Sequence, residues 1–186
     1  MPLLSLAHIA QAYAGIPALR DATLDIAAGE IHALMGENGA GKSTLIKILA
    51  GVVAPDRADI RLDGRTVAID SPAAARRLGL RFIHQELSVV PALSVAENIV
   101  LGRPYPRRLG LFVDWRRLNA VAAAALDTLG ITHIEPRAKM ARLSLGDRML
   151  VRISSAFLAE PGHPARLYVM DEPTAALTRE ESERLF

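Results

Sequence analysis

The stretch Gly36-Glu37-Asn38-Gly39-Ala40-Gly41-Lys42-Ser43 fits the pattern G-x-x-x-x-G-K-[ST] at every fixed position. Its surroundings fit as well. Ile31 to Met35 before it is an apolar run that reads as a buried strand, and Ser43 to Ala50 after it reads as a helix stopped by Gly51. The residue types follow from the chemistry of an anion. Glycines let successive backbone N–H groups turn inward around phosphate oxygens, and the helix start aims its dipole at the same charge. Lys42 is placed to reach the β- and γ-phosphates, and the Ser43 hydroxyl to ligate Mg²⁺. Gly36, Glu37, Asn38, Gly39, Ala40, Gly41, Lys42, Ser43 and Thr44 are therefore the candidate phosphate-binding residues. A glycine-rich turn that matches by chance is the competing reading, and it leaves the agreement of strand, loop and helix unexplained.

Further along, Leu167-Tyr168-Val169-Met170 reads as a buried strand that ends in Asp171-Glu172. A carboxylate at the end of such a strand is what a phosphate loop needs to hold Mg²⁺ through Asp171, while Glu172 is placed to polarise a water. A solvated acidic turn is the plainer alternative. Asp171 follows Lys42 at a longer interval than compact GTPases and nucleoside kinases usually show. None of the three asparagines (Asn38, Asn98, Asn119) is followed by Lys, so the guanine-reading Asn-Lys-x-Asp is absent and adenine is the expected base.

The remaining pattern is that of an α/β protein. Leu3 to Ala10 and Ala22 to Ile26 read as strands separated by Gly15-Ile16-Pro17, and Ile60 to Leu62 with Thr66 to Ile69 reads as a hairpin turning at Asp63-Gly64. Ser71-Pro72 opens a helix, and Leu80 to His84 is a further strand. Leu93 to about Arg166 is mostly helical, with helices at Asp114 to Leu129 and Leu145 to Glu160, broken by the basic loop Arg103 to Arg108. That loop could meet lipid head groups or a partner, although a solvated surface is the commoner meaning of such a run. The net charge of +2 gives no reason to expect nucleic acid. The absence of cysteine excludes disulfides, thiolate metal sites and cysteine nucleophiles. No run approaches the roughly 18 apolar residues of a membrane span, and the N-terminus lacks the basic start of a signal peptide.

Taken with the text between them, the two motifs resemble ABC ATPase cassettes. Phe82-Ile83-His84-Gln85-Glu86-Leu87 looks like the Q-loop, Leu143-Ser144-Leu145-Gly146-Asp147 is similar to the signature LSGGQ, and Asp171-Glu172-Pro173-Thr174 matches the acidic strand's continuation. Ala175 to Thr178 occupies the D-loop position, and Tyr13 sits where an adenine-stacking aromatic is placed, an ordinary strand tyrosine being the alternative. His84 to Pro91 with Leu93 to Ile99, and Leu101-Gly102-Arg103, are most similar to bacterial importer ATPases of the ribose, xylose and galactose kind. The resemblance implies a P-loop NTPase cassette with a mixed sheet, N-terminal antiparallel strands and an inserted helical subdomain. It places the core at about 1–92 and 161–186 and the helical part at about 93–160.

The same resemblance implies ATP and Mg²⁺ as cofactors. Ser43, Gln85 and Asp171 would hold the metal, Glu172, Lys42 and Gln85 would act catalytically, and Ser144 and Gly146 would face the γ-phosphate on a second cassette. It implies membrane permease subunits, that second cassette and, indirectly, an extracytoplasmic sugar-binding protein as partners, at the cytoplasmic face of the inner membrane. The expected role is an ATP-hydrolysing subunit that powers a monosaccharide importer. The alternatives are an ATP-binding fragment without turnover and a soluble ABC ATPase outside transport. The signature departs from the pattern, with Leu145 for a glycine and Asp147 for glutamine, and a carboxylate there is electrostatically unfavourable unless it turns aside. The family's switch histidine, one strand beyond the acidic pair, has no match before Phe186, and His163 reads as a loop residue, so the sequence is expected to be an N-terminal fragment.

Overall fold

The first strand shows how the chain sorts its faces. In β1 (Leu4–Tyr13) the side chains of Leu4 and Leu6 are buried, as strict alternation requires, but the next buried residues are Ile9 and Gln11 rather than positions 8 and 10. The change of phase is a bulge at His8, whose φ is 54° and where the pairing register shifts. One extra residue restores the apolar side chain of Ile9 to the inner face. The bulge is held from outside. Asp21 accepts from His8 and from Arg57, each at 3.0 Å, and the Arg57 Nε–H donates to the His8 carbonyl at 3.2 Å.

The computed structural model describes residues 1–83, 89–158 and 162–171. β1 pairs antiparallel with β2 (Ile16–Ile26) and with β3 (Arg57–Leu62), and β3 with β4 (Arg65–Thr66), in the order β2-β1-β3-β4. The turns at Ala14-Gly15 and Asp63-Gly64 carry positive φ at both residues, the geometry that matches the twist of a tight hairpin. Helix α1 (Lys42–Leu49) lies against β2 and buries Leu45, Ile48 and Leu49. Helix α2 (Pro72–Arg77) begins where the Ser-Pro pair predicts, with the Ser71 hydroxyl accepting from the Ala74 N–H at 3.2 Å. These elements belong to a compact unit, Met1–Leu80.

The second unit, Arg81–Phe186, is built differently. Strand β5 (Leu80–Ile83) pairs with β8 (Leu167–Met170). Three helices, α3 (Val95–Ile99), α4 (Trp115–Asp127) and α5 (Leu145–Phe157), pack around Val95, Ile99, Leu118, Leu126, Met140 and Val151. The buried Asn98 ties the preceding loop to α3. Its amide donates to the carbonyls of Val90 and Ser94 and accepts from the Val90 N–H, so no amide atom is left unpaired. Between α3 and α4 stands a small hairpin, β6 (Arg107–Arg108) with β7 (Phe112–Val113).

Three expectations are corrected. Ile31 to Met35 is not a strand: it is irregular, and Ile31 (74 %) and Met35 (87 %) are exposed. A continuous apolar run signals a buried strand only where neighbouring strands and covering helices are supplied, and among the described residues no strand pairs with it. β8 is half-buried along its length rather than buried. Arg107 and Arg108 lie in a strand, not in the expected loop, because two-residue strands are too short to show a period. His84, Gln85 and Glu86, the D-loop stretch and the helix expected from Thr178 lie outside the described residues.

Candidate nucleotide site

The phosphate loop is built in the first unit. Gly39 and Gly41 have φ near 85°, and the chain turns through them into α1. Gly41 is also where the loop meets β2: a Cβ there would stand 2.6 Å from Leu19 Cδ2 and 2.7 Å from the Ala18 carbonyl oxygen. Backbone conformation and close approach therefore demand glycine independently.

What this loop leaves uncapped matters as much. Helices α2, α3, α4 and α5 each have a side chain over their first amides, from Ser71, Ser94, Asp114 and Ser144. At α1 the N-cap is Gly41, with no side-chain cap and no acidic residue in the first turn. The N–H groups of a helix start need acceptors, and here the sequence supplies none of its own. Lys42 bends back over the same loop, its ammonium donating to the Gly36 carbonyl at 2.5 Å and to the Glu37 carbonyl at 2.9 Å. Cation, glycines and helix start thus converge on one small exposed cradle whose chemistry suits a phosphate group. Ser43 and Thr44 stand in the first turn of that helix. Tyr13 ends β1, exposed, at the pair it forms with Ile16 beside the hairpin turn.

The second unit carries the other candidates. Asp171 directly follows β8, and its N–H donates to the Ile83 carbonyl at 2.9 Å, so the acidic strand end is fastened to the end of β5. Gln85 and Glu172 lie outside the described residues. His163 is in a loop, as expected, and its carbonyl accepts from Arg81 at 2.6 Å.

At the start of α5, Ser144 is an N-cap whose hydroxyl accepts from the Asp147 N–H at 3.0 Å. The Asp147 carboxylate turns toward His133. It accepts from His133 at 2.8 Å and from Ser144. Burial works to raise its pKa, but the His133 hydrogen bond, those of Ser144 and the charge of His133 outweigh it and hold the carboxyl below its ordinary value. His133 has no signal in the sequence. It lies in no motif and meets Asp147 only because the loop after α4 folds back onto α5.

Comparison with known proteins bears on the family and the fold. The family model for ABC transporters matches residues 19–175. The chain belongs to this family. Among curated members, a putative ribose/galactose/methyl galactoside import ATP-binding protein of Burkholderia cenocepacia is 47 % identical over 185 residues, all of this chain and 35 % of that protein. A ribose import ATP-binding protein of Rubrobacter xylanophilus is 48 % identical, again over all of this chain and 36 % of its own length. The chain thus spans about a third of the curated relatives it matches. Among solved structures, an ATP-binding cassette of an ABC transporter in its ADP conformation superposes with a TM-score of 0.81. It is 24 % identical and is covered over 74 % of its length. A dimeric cassette in a post-hydrolysis state gives 0.76 at 23 % identity, with 79 % of its length covered. These likenesses fix the fold as the ABC cassette, mixed α/β with antiparallel N-terminal strands.

Proposed function

We infer that the chain is the nucleotide-binding part of an ATP-hydrolysing subunit that powers an ABC importer for a monosaccharide. The observation that carries this reading is the exposed cradle formed by Gly36 to Thr44, with the Lys42 ammonium folded over it at the head of an uncapped helix. The printed names of relatives 46–48 % identical over the whole chain support the sugar class.

Mg-ATP supplies the phosphoanhydride bond. The loop amides from Gly36 to Thr44 bind its phosphates, and Lys42, with a third N–H to donate, neutralises charge as it moves outward. Ser43, Asp171 and Gln85 would hold the metal, Glu172 would orient the attacking water, and Tyr13 would cover the adenine. Ser144 and Gly146 serve the nucleotide of a second cassette, and permease subunits together with an extracytoplasmic sugar-binding protein complete the assembly. Among the described residues no helix is long and apolar enough to cross a membrane. A peripheral place at the cytoplasmic face of the inner membrane is consistent with such partners.

Titration calorimetry with Mg-ATP tests the loop. Lys42→Ala abolishes tight binding on this reading, and unchanged affinity sinks it. Steady phosphate release that vanishes in Glu172→Gln separates a hydrolysing subunit from a module that binds without turnover.

A further inference from the structure

The small hairpin of the second unit presents apolar side chains that its own fold does not use. Leu109 is 85 % exposed, Leu111 81 %, Phe112 69 % and Trp115 53 %. The base of the hairpin is fixed: the Asp114 N–H donates to the Pro106 carbonyl at 2.8 Å, and Tyr105, packed on the helical core, meets Trp115 edge to face at 6.4 Å. The tip is shaped as well. Arg107 donates to the Gly110 carbonyl at 3.3 Å, and Leu109 holds a φ of 53°, a conformation that glycine or asparagine takes at little cost and leucine does not. Packing gains nothing from that leucine, since it faces solvent. Arg107 and Arg108 lead into the tip and Arg116 and Arg117 follow its base in the first turn of α4, all exposed, with Asp114 the one acidic residue between Arg107 and Arg117.

We propose that the β6–β7 hairpin is a membrane-surface anchor: Leu109, Leu111 and Phe112 enter the headgroup–acyl boundary of a bilayer rich in acidic lipid, and the four arginines bind its phosphates. Two features favour lipid over a protein partner. The apolar side chains are gathered at the point of a hairpin, where shallow insertion reaches them together. Arg107 and Arg108 flank the tip, and Trp115, Arg116 and Arg117 stand at its base, the arrangement an interface between hydrocarbon and acidic headgroups selects. The proposal does not depend on the nucleotide reading, because none of these residues belongs to the phosphate loop.

These 186 residues carry a single tryptophan, Trp115, which reports on the hairpin. The experiment is co-sedimentation and Trp115 fluorescence with vesicles of phosphatidylcholine alone and with about 30 mol% phosphatidylglycerol. Expected are binding to the acidic vesicles, a blue-shifted emission, and release by about 0.5 M salt. Leu109→Ser/Leu111→Ser/Phe112→Ser lowers the affinity at least tenfold. Arg107→Gln/Arg108→Gln lowers it by roughly 25-fold, about fivefold for each arginine brought to the surface. Both variants keep the wild-type thermal transition and Mg-ATP affinity, which shows that they fold. Failure of the wild type to bind acidic vesicles, or equal binding by the variants, overturns the proposal. Concentration-dependent self-association that the triple serine variant abolishes, without vesicle binding, also overturns it and assigns the patch to a second copy.

Discussion

At the scale of single residues, the phosphate loop rests on Gly41 and the signature-like segment on Asp147. For Gly41→Ala the added Cβ has no room, with Leu19 Cδ2 at 2.6 Å and the Ala18 carbonyl oxygen at 2.7 Å, and the φ of 87° is itself unfavourable for alanine. The substitution is expected to cost roughly 1–3 kcal/mol and to weaken Mg-ATP binding at least tenfold, because relief of the clash requires the loop to move. Urea unfolding and titration calorimetry check the two effects, and a variant that keeps both stability and affinity contradicts the loop geometry. Asp147 gives a pH dependence. Its carboxyl lies below the ordinary value of 3.8 when folded, so the carboxylate contributes stability that is full above that value. That stability is lost as the pH falls through the lower, folded value. The stability difference between the wild type and Asp147→Asn is therefore expected to shrink as the pH falls below 3.8. A difference that stays unchanged as the pH falls well below 3.8 removes the His133–Asp147 contact as its cause.

At the scale of elements, short helices depend on their ends. Helix α3 has five residues, too few to persist by backbone hydrogen bonding alone, and it begins with a reciprocal cap. The Ser94 hydroxyl accepts from the Glu97 N–H at 3.2 Å, and the Glu97 carboxylate accepts from the Ser94 N–H at 2.8 Å. Ser94→Ala is expected to cost about 1 kcal/mol and Ser94→Gly only a few tenths, read as shifts of the urea midpoint. Equal losses would show that the serine acts through packing and not as a cap. Such caps are written locally, which is why Ser71-Pro72 and Asp114 were legible as helix starts, and why Asp63-Gly64 announced its hairpin. Ile31 to Met35 was misread for the opposite reason: its state depends on neighbours that its own residues do not specify. The β6–β7 hairpin was missed because two-residue strands carry no periodicity, and the His8 bulge because a change of phase is visible only once the partner strands are known. Within the candidate site, the glycine turns and the helix start at Gly36 to Thr44 were legible, since they are local, whereas the pairing of His133 with Asp147 arises from a fold-back that no spacing encodes.

At the scale of the whole molecule, the two compact units and the phosphate loop make ligand binding a question of which part is stabilised. A ligand that binds only the folded state adds RT ln(1 + [L]/Kd), about 2.7 kcal/mol at a hundredfold its Kd. For a protein of this size that corresponds to a rise in Tm of roughly 5–10 °C. The loop lies wholly within Met1–Leu80, so the rise belongs to whichever cooperative transition includes that unit. Scanning calorimetry with and without Mg-ATP separates two cases. If the chain unfolds as one, a single endotherm moves by the full amount and one transition accounts for the heat. If the units unfold separately, the endotherm of Met1–Leu80 moves and that of Arg81–Phe186 stays. A chelator that removes Mg²⁺ reduces the shift in either case if Ser43 holds the metal, because the nucleotide then keeps only its loop contacts. An endotherm that moves equally in Lys42→Ala would place the stabilising contact outside the phosphate loop and would remove the chief support for the nucleotide reading.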